Sequence, residues 1–378
     1  MRTVVFLCLV GWAVTGVAET WVYFGTYTRG QSGSEGVYVS TLDEVTGAIS
    51  PPVLAAKVNN PSFVAIHPNG KTLYAACEAD AENGGVAAFS INDDGRLTKL
   101  NQRSTGGGGA CHVAVDPTGQ CVGVANYGGG SCASFSIRSD GSLGEIASFH
   151  QHAGRGADPK RQSAPHAHSI NFNSTGTQAF VADLGTDKIM LYDVDLGSGK
   201  LTPSQQPSLA MPAGGGPRHF CFVPAADSTF NAAVSNLEMT SQVALLSYDA
   251  DARRLTLGNV VSTLPADVDG VSINNSTAEC LVHPNGATVY VSNRGHNSIA
   301  MFHYDSTAEQ LTPIGHQSTQ GEIPRGFGID PSGRFLVVAN QKSGNIISLK
   351  VDPETGTLTP AGSEVKLDSP VNVRFLVR

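Results

Sequence analysis

Short runs of alternating hydrophobic and polar residues recur along the whole chain, and this two-residue period is that of β-strands. The runs are rich in Val, Ala and Tyr and are separated by turns such as HPNG and DPTG. Charged residues are only 15% of the chain, whereas it holds 43 glycines and 20 prolines. The pattern therefore predicts many short strands joined by tight turns rather than long solvated helices.

One strand–turn–strand unit recurs six times, with a period of about 50 residues. A third strand and then a fourth follow each pair, as in GGVAAFSI and GRLTKL, so each repeat predicts a four-stranded antiparallel sheet. Such repeats are typical of β-propeller blades around a central channel. The six units are PSFVAIHPNGKTLYAACE (61–78), ACHVAVDPTGQCVGVANY (110–127), HAHSINFNSTGTQAFVADL (166–184), PRHFCFVPAADSTFNAAVSNL (217–237), TAECLVHPNGATVYVSNR (277–294) and PRGFGIDPSGRFLVVANQ (324–341).

The two ends of the chain supply a seventh repeat. The N-terminal strands WVYFGTYT, GVYVSTL and GAISPPV lack an innermost partner, and the C-terminal SPVNVRFLVR resembles the first strand of the other repeats. Their pairing would close the ring and remove an exposed sheet edge. We therefore predict that residues 19–378 form one all-β domain, a seven-bladed β-propeller closed by its N- and C-terminal strands.

The first 18 residues have the character of a secretory signal peptide: a basic start, a short apolar run and small residues around Ala18. We therefore expect export to the periplasm or the extracellular space. The net charge of -8 argues against nucleic acid or an anionic membrane surface as a partner, and no later segment is apolar enough to span a bilayer. We expect a monomer.

Six cysteines follow the signal segment, and none of them forms a CxxC motif. Export permits disulfides, but the chain is long enough to bury a core without them. Buried, unpaired thiols are therefore slightly favoured over disulfides, and both remain open.

Propeller topology sorts the polar residues by face. Strands in a blade alternate in direction, so the start of each innermost strand and the end of each second strand meet at one mouth of the channel. His67 and His283 belong to the turns on the opposite face, and we expect them to be surface turn residues. The residues expected at the mouth are His166, His168, Arg218, His219 and Arg325 at strand starts, Glu78, Asn126, Tyr127, Asp183, Asn236, Glu238, Asn293, Arg294, Gln341 and Lys342 at strand ends, and Tyr27 and Arg29.

Three of the arginines expected at the mouth, Arg218, Arg294 and Arg325, indicate a small anionic ligand, because guanidinium groups bind carboxylates and phosphates through two hydrogen bonds. Asn126 and Gln341 would complete the substrate-binding set.

His166 and His168 lie two residues apart, so on an extended chain both can point into the mouth. A metal site would need further ligands, and the arginines would repel a cation, so we expect no metal and no cofactor. A histidine acid or base is the preferred reading of His168, with His166 as a substrate contact; a polar residue without chemistry stays open for each.

The segments GGGPRHF, IPRGFGIDPSGRFLVVANQKSGNI, FVADLGTDKI and AHSINF resemble the seven-bladed propeller lactonase family. This family includes bacterial propeller-type 6-phosphogluconolactonases and is similar to fungal carboxy-cis,cis-muconate lactonizing enzymes. The resemblance runs from YFGTYT to SPVNVRFLV. It implies that His168 is the acid/base histidine. The family carboxylate lies in an NEL sequence, but this chain reads SNLEM, with Asn236 at the glutamate position and Glu238 two residues later.

The resemblance implies a carboxylic-ester hydrolase that opens a sugar-acid lactone, as a 6-phosphogluconolactonase does. His168, Glu238 and Arg294 are then the expected catalytic residues, and the absence of a Gly-x-Ser-x-Gly motif is consistent with direct attack by water. The alternative is a non-catalytic envelope propeller that binds a sugar acid or a protein, which the missing NEL glutamate favours. Cation-dependent gluconolactonase chemistry, seen on other propellers, is a third reading.

Overall fold

Seven four-stranded antiparallel sheets, arranged as the blades of a propeller, make up the computed structural model. It describes residues 19–80, 84–224 and 231–378, and within these ranges no helix is long and apolar enough to cross a membrane. The predicted seven-bladed fold is confirmed. The predicted signal peptide, residues 1–18, lies outside the described residues.

In the described part of the chain, 28 strands build the blades, and turns and loops connect them in chain order. They are β1 (Thr20–Thr26), β2 (Gly36–Leu42), β3 (Val53–Lys57), β4 (Pro61–Ile66), β5 (Thr72–Cys77), β6 (Gly85–Ile91), β7 (Leu97–Arg103), β8 (Ala110–Val115), β9 (Cys121–Asn126), β10 (Ser131–Ile137), β11 (Leu143–Gln151), β12 (Ala167–Phe172), β13 (Gln178–Asp183), β14 (Lys188–Asp195), β15 (Lys200–Ala210), β16 (Pro217–Phe222), β17 (Ala232–Leu237), β18 (Gln242–Asp249), β19 (Arg254–Ser262), β20 (Ser276–Val282), β21 (Thr288–Arg294), β22 (Ser298–Asp305), β23 (Gln310–Ser318), β24 (Pro324–Ile329), β25 (Phe335–Asn340), β26 (Asn345–Val351), β27 (Leu358–Lys366) and β28 (Pro370–Val377).

The first strand of each repeat faces the channel and contacts the first strands of the two neighbouring repeats. In blade 1 this position is taken by β28, which pairs antiparallel with β1 and sets Val377 opposite Thr20, so the predicted closure is confirmed. Within the described ranges, the buried hydrophobic residues form seven clusters, each between two adjacent blades. Hydrogen bonds also connect adjacent blades: Tyr74 Oη donates to Gly141 O in the next blade at 2.8 Å.

Each pairing of an innermost strand with its neighbour has a register irregularity close to the channel mouth. Such bulges re-aim side chains and interrupt strict alternation. The direction of a residue at the mouth therefore does not follow from counting along the strand.

The turns on the opposite face give the two turn histidines a structural role. His67 Nε2 donates to Gly119 O at 3.0 Å, and His283 Nε2 donates to Gly333 O at 2.8 Å, each reaching the following blade. His283 is buried, so the expectation that it is a surface turn residue is wrong. The reason is that neighbouring turns pack together around the ring, which the order of residues alone does not reveal.

One predicted strand is displaced. GAISPPV, at residues 47–53, was expected to be the third strand of the first blade, but β3 begins only at Val53, and Ile49 forms a single bridge to Leu42. Pro51 and Pro52 explain the shift, because proline has no N–H to donate to a sheet.

Candidate functional site

A cavity of about 610 Å³ opens at the end of the channel where the innermost strands start and the second strands end. Among the residues that the structure describes, four arginines and three carboxylates line it, so positive charge is in excess among them. The lining residues are Tyr27, Arg29, Glu78, Cys111, Tyr127, Asp158, Arg161, His168, Glu238, Met239, Asn274, Asn275, Ser276, Arg294, Arg325 and Gln341.

His168, near the start of β12, lines this cavity and is only 5% exposed. Its ring packs edge-on against Tyr127 and His219, with centroids 5.3 and 5.4 Å away, and Cys111 Sγ lies 3.8 Å from Nδ1. Burial, followed by the charge of Arg218, lowers the pKa of His168 well below its usual 6.5. The imidazole is therefore neutral at neutral pH and can accept a proton.

Glu238 directly follows β17 and is contacted by three arginines. Its Oε1 accepts a hydrogen bond from Arg161 Nη2 at 2.7 Å, while Oε2 lies 3.0 Å from Arg218 Nε and 3.1 Å from Arg294 Nη2. The Arg218 contact is an ion pair without hydrogen-bond geometry. Burial tends to raise the pKa of Glu238, but Arg294 and Arg218 outweigh it and hold that pKa well below 4.5. At neutral pH this carboxylate carries charge and does not donate a proton.

Arg294 and Arg325 reach the cavity from neighbouring blades. Arg294 Nη2 donates to Thr277 O at 2.8 Å. Arg325 Nη2 donates to Tyr27 Oη at 2.7 Å, and Tyr27 Oη donates to Glu78 Oε2 at 2.8 Å. Among the described residues, no carboxylate oxygen lies within ion-pair distance of Arg325, and Glu78 pairs with a different arginine. Arg325 therefore keeps a positive charge that an external anion can meet.

Most of the expected site residues converge on this cavity. His168, Glu238, Arg294, Arg325 and Gln341 line it. Arg218 lies one contact behind the wall, 2% exposed, where burial and the neighbouring arginines lower its pKa to about 10.

His166 does not line the cavity. It precedes β12, its ring stacks on Tyr127 with centroids 4.6 Å apart, and its Nδ1 donates to Tyr127 O at 2.9 Å. The register irregularity between Ala167 and Ser169 breaks the alternation that would have placed both histidines on one face. His166 thus supports a wall residue, whereas His168 forms part of the wall.

Asn126 is fully buried and also lies away from the cavity lining. Its Oδ1 accepts a hydrogen bond from Thr105 Oγ1 at 2.8 Å, and Asn293 Oδ1 accepts one from Thr263 Oγ1 at the same distance. The amide at the end of a second strand therefore fixes the connection that enters its own blade. This repeated bond accounts for asparagine at that position.

Asn236, at the position where the family sequence has glutamate, is likewise part of the framework. Its Oδ1 accepts the His219 N–H at 3.0 Å, and its Nδ2 donates to Thr277 Oγ1 at 2.8 Å. The carboxylate of Glu238 is the one that reaches the cavity.

Sequence reasoning missed seven lining residues, which are Cys111, Asp158, Arg161, Met239, Asn274, Asn275 and Ser276. Asp158 and Arg161 belong to the connection between β11 and β12 rather than to a blade. The available signal was the stretch RGADPKRQ, which concentrates cations in an otherwise acidic chain. Its direction relative to the mouth could not be read from that composition.

The innermost strands bring a second polar group together behind the arginine cluster. His219 Nδ1 donates to Glu279 Oε1, and His219 Nε2 accepts a hydrogen bond from Arg218 Nη1 at 3.2 Å. Burial raises the pKa of Glu279 and lowers that of His219 well below 6.5. This chain of contacts holds Arg218 in place beside Glu238.

The functional groups that line the cavity include the neutral imidazole of His168 and the guanidinium groups of four arginines. Within the part of the chain that the structure describes, no three His, Cys, Asp or Glu side chains are grouped so as to hold a metal ion. A base beside fixed cations can activate water and stabilise negative charge on a carbonyl oxygen.

Known proteins are similar to this chain over most of its length. The 6-phosphogluconolactonase of Bacillus subtilis (strain 168) is 39% identical over 355 residues, which cover 94% of this chain and 97% of the relative. The 6-phosphogluconolactonase of Formosa agariphila is 32% identical over 352 residues, covering 91% of this chain and 96% of the relative.

Solved structures show the same fold. The periplasmic gluconolactonase of Pseudomonas aeruginosa gives a TM-score of 0.86 at 28% identity, covering 95% of this chain and 99% of the other. A protein from Lactobacillus plantarum gives a TM-score of 0.85 at 35% identity with coverage of 95% and 99%. Residues 21–375 match the family described as "Lactonase, 7-bladed beta-propeller". The chain therefore belongs to the seven-bladed β-propeller lactonase family.

Proposed function

We propose that this lactonase hydrolyses the δ-lactone of an anionic sugar acid, and that its substrate is 6-phosphogluconolactone. The observation that carries the proposal is the neutral imidazole of His168 in the same cavity as Arg294 and Arg325. The names of the two curated relatives support the substrate class.

In this mechanism His168 takes a proton from a water molecule, and the resulting hydroxide attacks the lactone carbonyl carbon. The tetrahedral intermediate collapses with cleavage of the bond between that carbon and the ring oxygen. The imidazolium of His168 returns its proton to the departing ring oxygen, which leaves an open-chain acid. General acid–base assistance of this kind contributes roughly a hundredfold or more.

The arginines bind charge during the same steps. Arg294 stabilises the oxyanion, a contribution of about 3 kcal/mol for one donor in comparable sites, and Arg325 holds an anionic part of the substrate. Glu238 remains ionised and stabilises the imidazolium of His168, consistent with the attraction between the two side chains. It therefore acts through its charge rather than as a proton carrier.

The other expected substrate-binding residues take supporting roles in this proposal. Gln341 offers a polar contact in the cavity wall. Arg218 orients Glu238, His166 fixes Tyr127, and Asn126 fixes the connection into its blade. All the lining residues named above come from one chain, and we propose that the enzyme acts as a monomer on a small lactone.

Export is a separate element of the proposal. The apolar sequence of residues 1–18 supports a cleaved signal, and the solved Pseudomonas aeruginosa relative is described as periplasmic. N-terminal sequencing of the protein released from a secreting host, with cleavage after Ala18 as the expected result, tests it.

The His168→Ala variant tests the mechanism. We expect lactone opening above the spontaneous rate to fall at least about a hundredfold, measured by proton release in a weakly buffered assay. The matched control is His303→Ala, since His303 is exposed on β22 and distant from the lining. Unchanged turnover in a folded His168→Ala protein would remove His168 as the base.

A further inference from the structure

Arg161 reaches the cavity from outside the blades, on the connection formed by residues 152–166. Asp158 Oδ1 accepts a hydrogen bond from the Arg161 backbone N–H at 3.0 Å. The next residue, Gln162, is buried, and its side-chain Nε2 donates a hydrogen bond to Leu184 O at 2.8 Å. The backbone beneath Arg161 is therefore anchored, while its side chain remains 46% exposed.

The three arginines on Glu238 are not equivalent. The side chains of Arg218 and Arg294 are 2% and 13% exposed and share Oε2, whereas Arg161 alone contacts Oε1 and also lies 3.3 Å from Tyr127 Oη. If Arg218 or Arg294 moved away, a buried charge would lose its partner, which is strongly unfavourable. If Arg161 moved away, Glu238 would still have two cations beside it.

We infer that Arg161 is a specificity-determining residue, which exchanges Glu238 for an anionic substituent of the substrate and so selects charged lactones over neutral ones. The inference rests on the proposed function. His168 and Arg161 line the same cavity, and Arg161 is the more exposed of the two, so a substrate whose ester lies at His168 can place a remote substituent at Arg161. A guanidinium in that position can bind a phosphate or carboxylate through two hydrogen bonds.

The exchange keeps the charge of the site balanced. In the free protein Arg161 is paired with Glu238, and in the complex it is paired with the ligand anion, while Glu238 remains between Arg218 and Arg294. A neutral lactone offers no partner, so Arg161 keeps its contact with Glu238. Arg161 therefore contributes to binding of the charged substrate and not to the chemical step.

The experiment compares 6-phosphoglucono-δ-lactone with glucono-δ-lactone as substrates of the full mature chain. In Arg161→Gln we expect KM for the phosphorylated lactone to rise at least about tenfold, with kcat for both lactones and KM for the plain one within about twofold. Arg161→Lys keeps the charge but not the planar fork, so a smaller rise of about threefold to fivefold is expected. The control is Lys160→Gln, the same charge change on an exposed neighbour outside the lining, which should leave both substrates unaffected.

An unchanged preference in Arg161→Gln, or an equal loss on both lactones, would overturn the inference. Calorimetric binding of 6-phosphogluconate and gluconate separates this failure from failure of the proposed function. If the wild-type protein turns over neither lactone but Arg161→Gln loses affinity for 6-phosphogluconate alone, the hydrolase proposal fails and the role of Arg161 stands. If Arg161→Gln does not fold, Arg161→Lys decides: an unchanged preference in that variant overturns the inference.

Discussion

Replacing Glu238 with glutamine tests whether one carboxylate holds the arginine cluster together. The substitution keeps the shape of the side chain but removes the charge that lies 2.7 Å from Arg161, 3.0 Å from Arg218 and 3.1 Å from Arg294. Arg218 and Arg294 are nearly buried. Glu238→Gln therefore leaves two buried guanidinium groups side by side without their shared counter-ion.

The expected loss of stability follows from that burial. Removing one partner of a buried ion pair costs about 3 to 5 kcal/mol. The Arg161 contact adds roughly 0 to 1 kcal/mol, because its side chain is half exposed and solvent screens the pair. With a urea m value of about 3 kcal/mol per molar, at the upper end for small proteins, the unfolding midpoint should fall by about 1 M or more at pH 7.

The matched control is Glu322→Gln. Glu322 pairs with Lys342 on the surface, where the two side chains are 53% and 69% exposed. Such a pair contributes about 0 to 1 kcal/mol, so the urea midpoint should move little. Tryptophan fluorescence and circular dichroism, followed in parallel through the titration, report the midpoints of all three proteins.

The pH dependence gives a second readout with a defined sign. Because the pKa of Glu238 is held below its usual 4.5 in the folded protein, its stabilising effect is fully present above that value. The effect is lost progressively as the pH falls toward the folded pKa. The difference in stability between wild type and Glu238→Gln should therefore shrink below pH 4.5. Equal midpoints for Glu238→Gln and Glu322→Gln at pH 7, or a difference that does not shrink in acid, would refute the reasoning.

Three further predictions address other parts of the molecule. Because burial lowers the pKa of His168 well below 6.5, kcat/KM corrected for spontaneous opening should stay level as the pH falls from 7 to 6.5 and decline only in more acidic buffer; a decline centred above 6.5 would contradict this assignment. Gly119→Ala should lower the melting temperature more than Gly362→Ala: both glycines have positive φ, but a Cβ at Gly119 would lie 2.5 Å from His67 Cε1, whereas one at Gly362 meets nothing within 4 Å. Burial raises the pKa of thiols such as Cys121 to about 12, so a thiol reagent at pH 8 should label the folded protein far more slowly than the protein in urea, and equal rates would show that the thiols are accessible.

The sequence by itself determined the architecture of this protein. Alternating hydrophobicity, Pro-Gly turns and a period of about 50 residues are local or repetitive properties, and they specify blades without knowledge of distant contacts. The unpaired C-terminal strand, now β28, likewise implied the closure onto β1. The same topology correctly assigned His168 and Arg325 to one mouth, because strand direction alone decides which ends of strands share a face.

Only the tertiary structure decided which side chains form the cavity wall. A register irregularity directs His166 away from the face that His168 occupies, and Asn126 turns to a hydrogen bond within the framework. Arg161 lies on the connection between β11 and β12, whose path depends on tertiary contacts such as the hydrogen bond from Gln162 to Leu184 O. Its side chain completes the group of arginines around Glu238. These directions depend on bulges, loop packing and ion pairs between residues far apart in sequence, so the order of amino acids along one strand does not contain them.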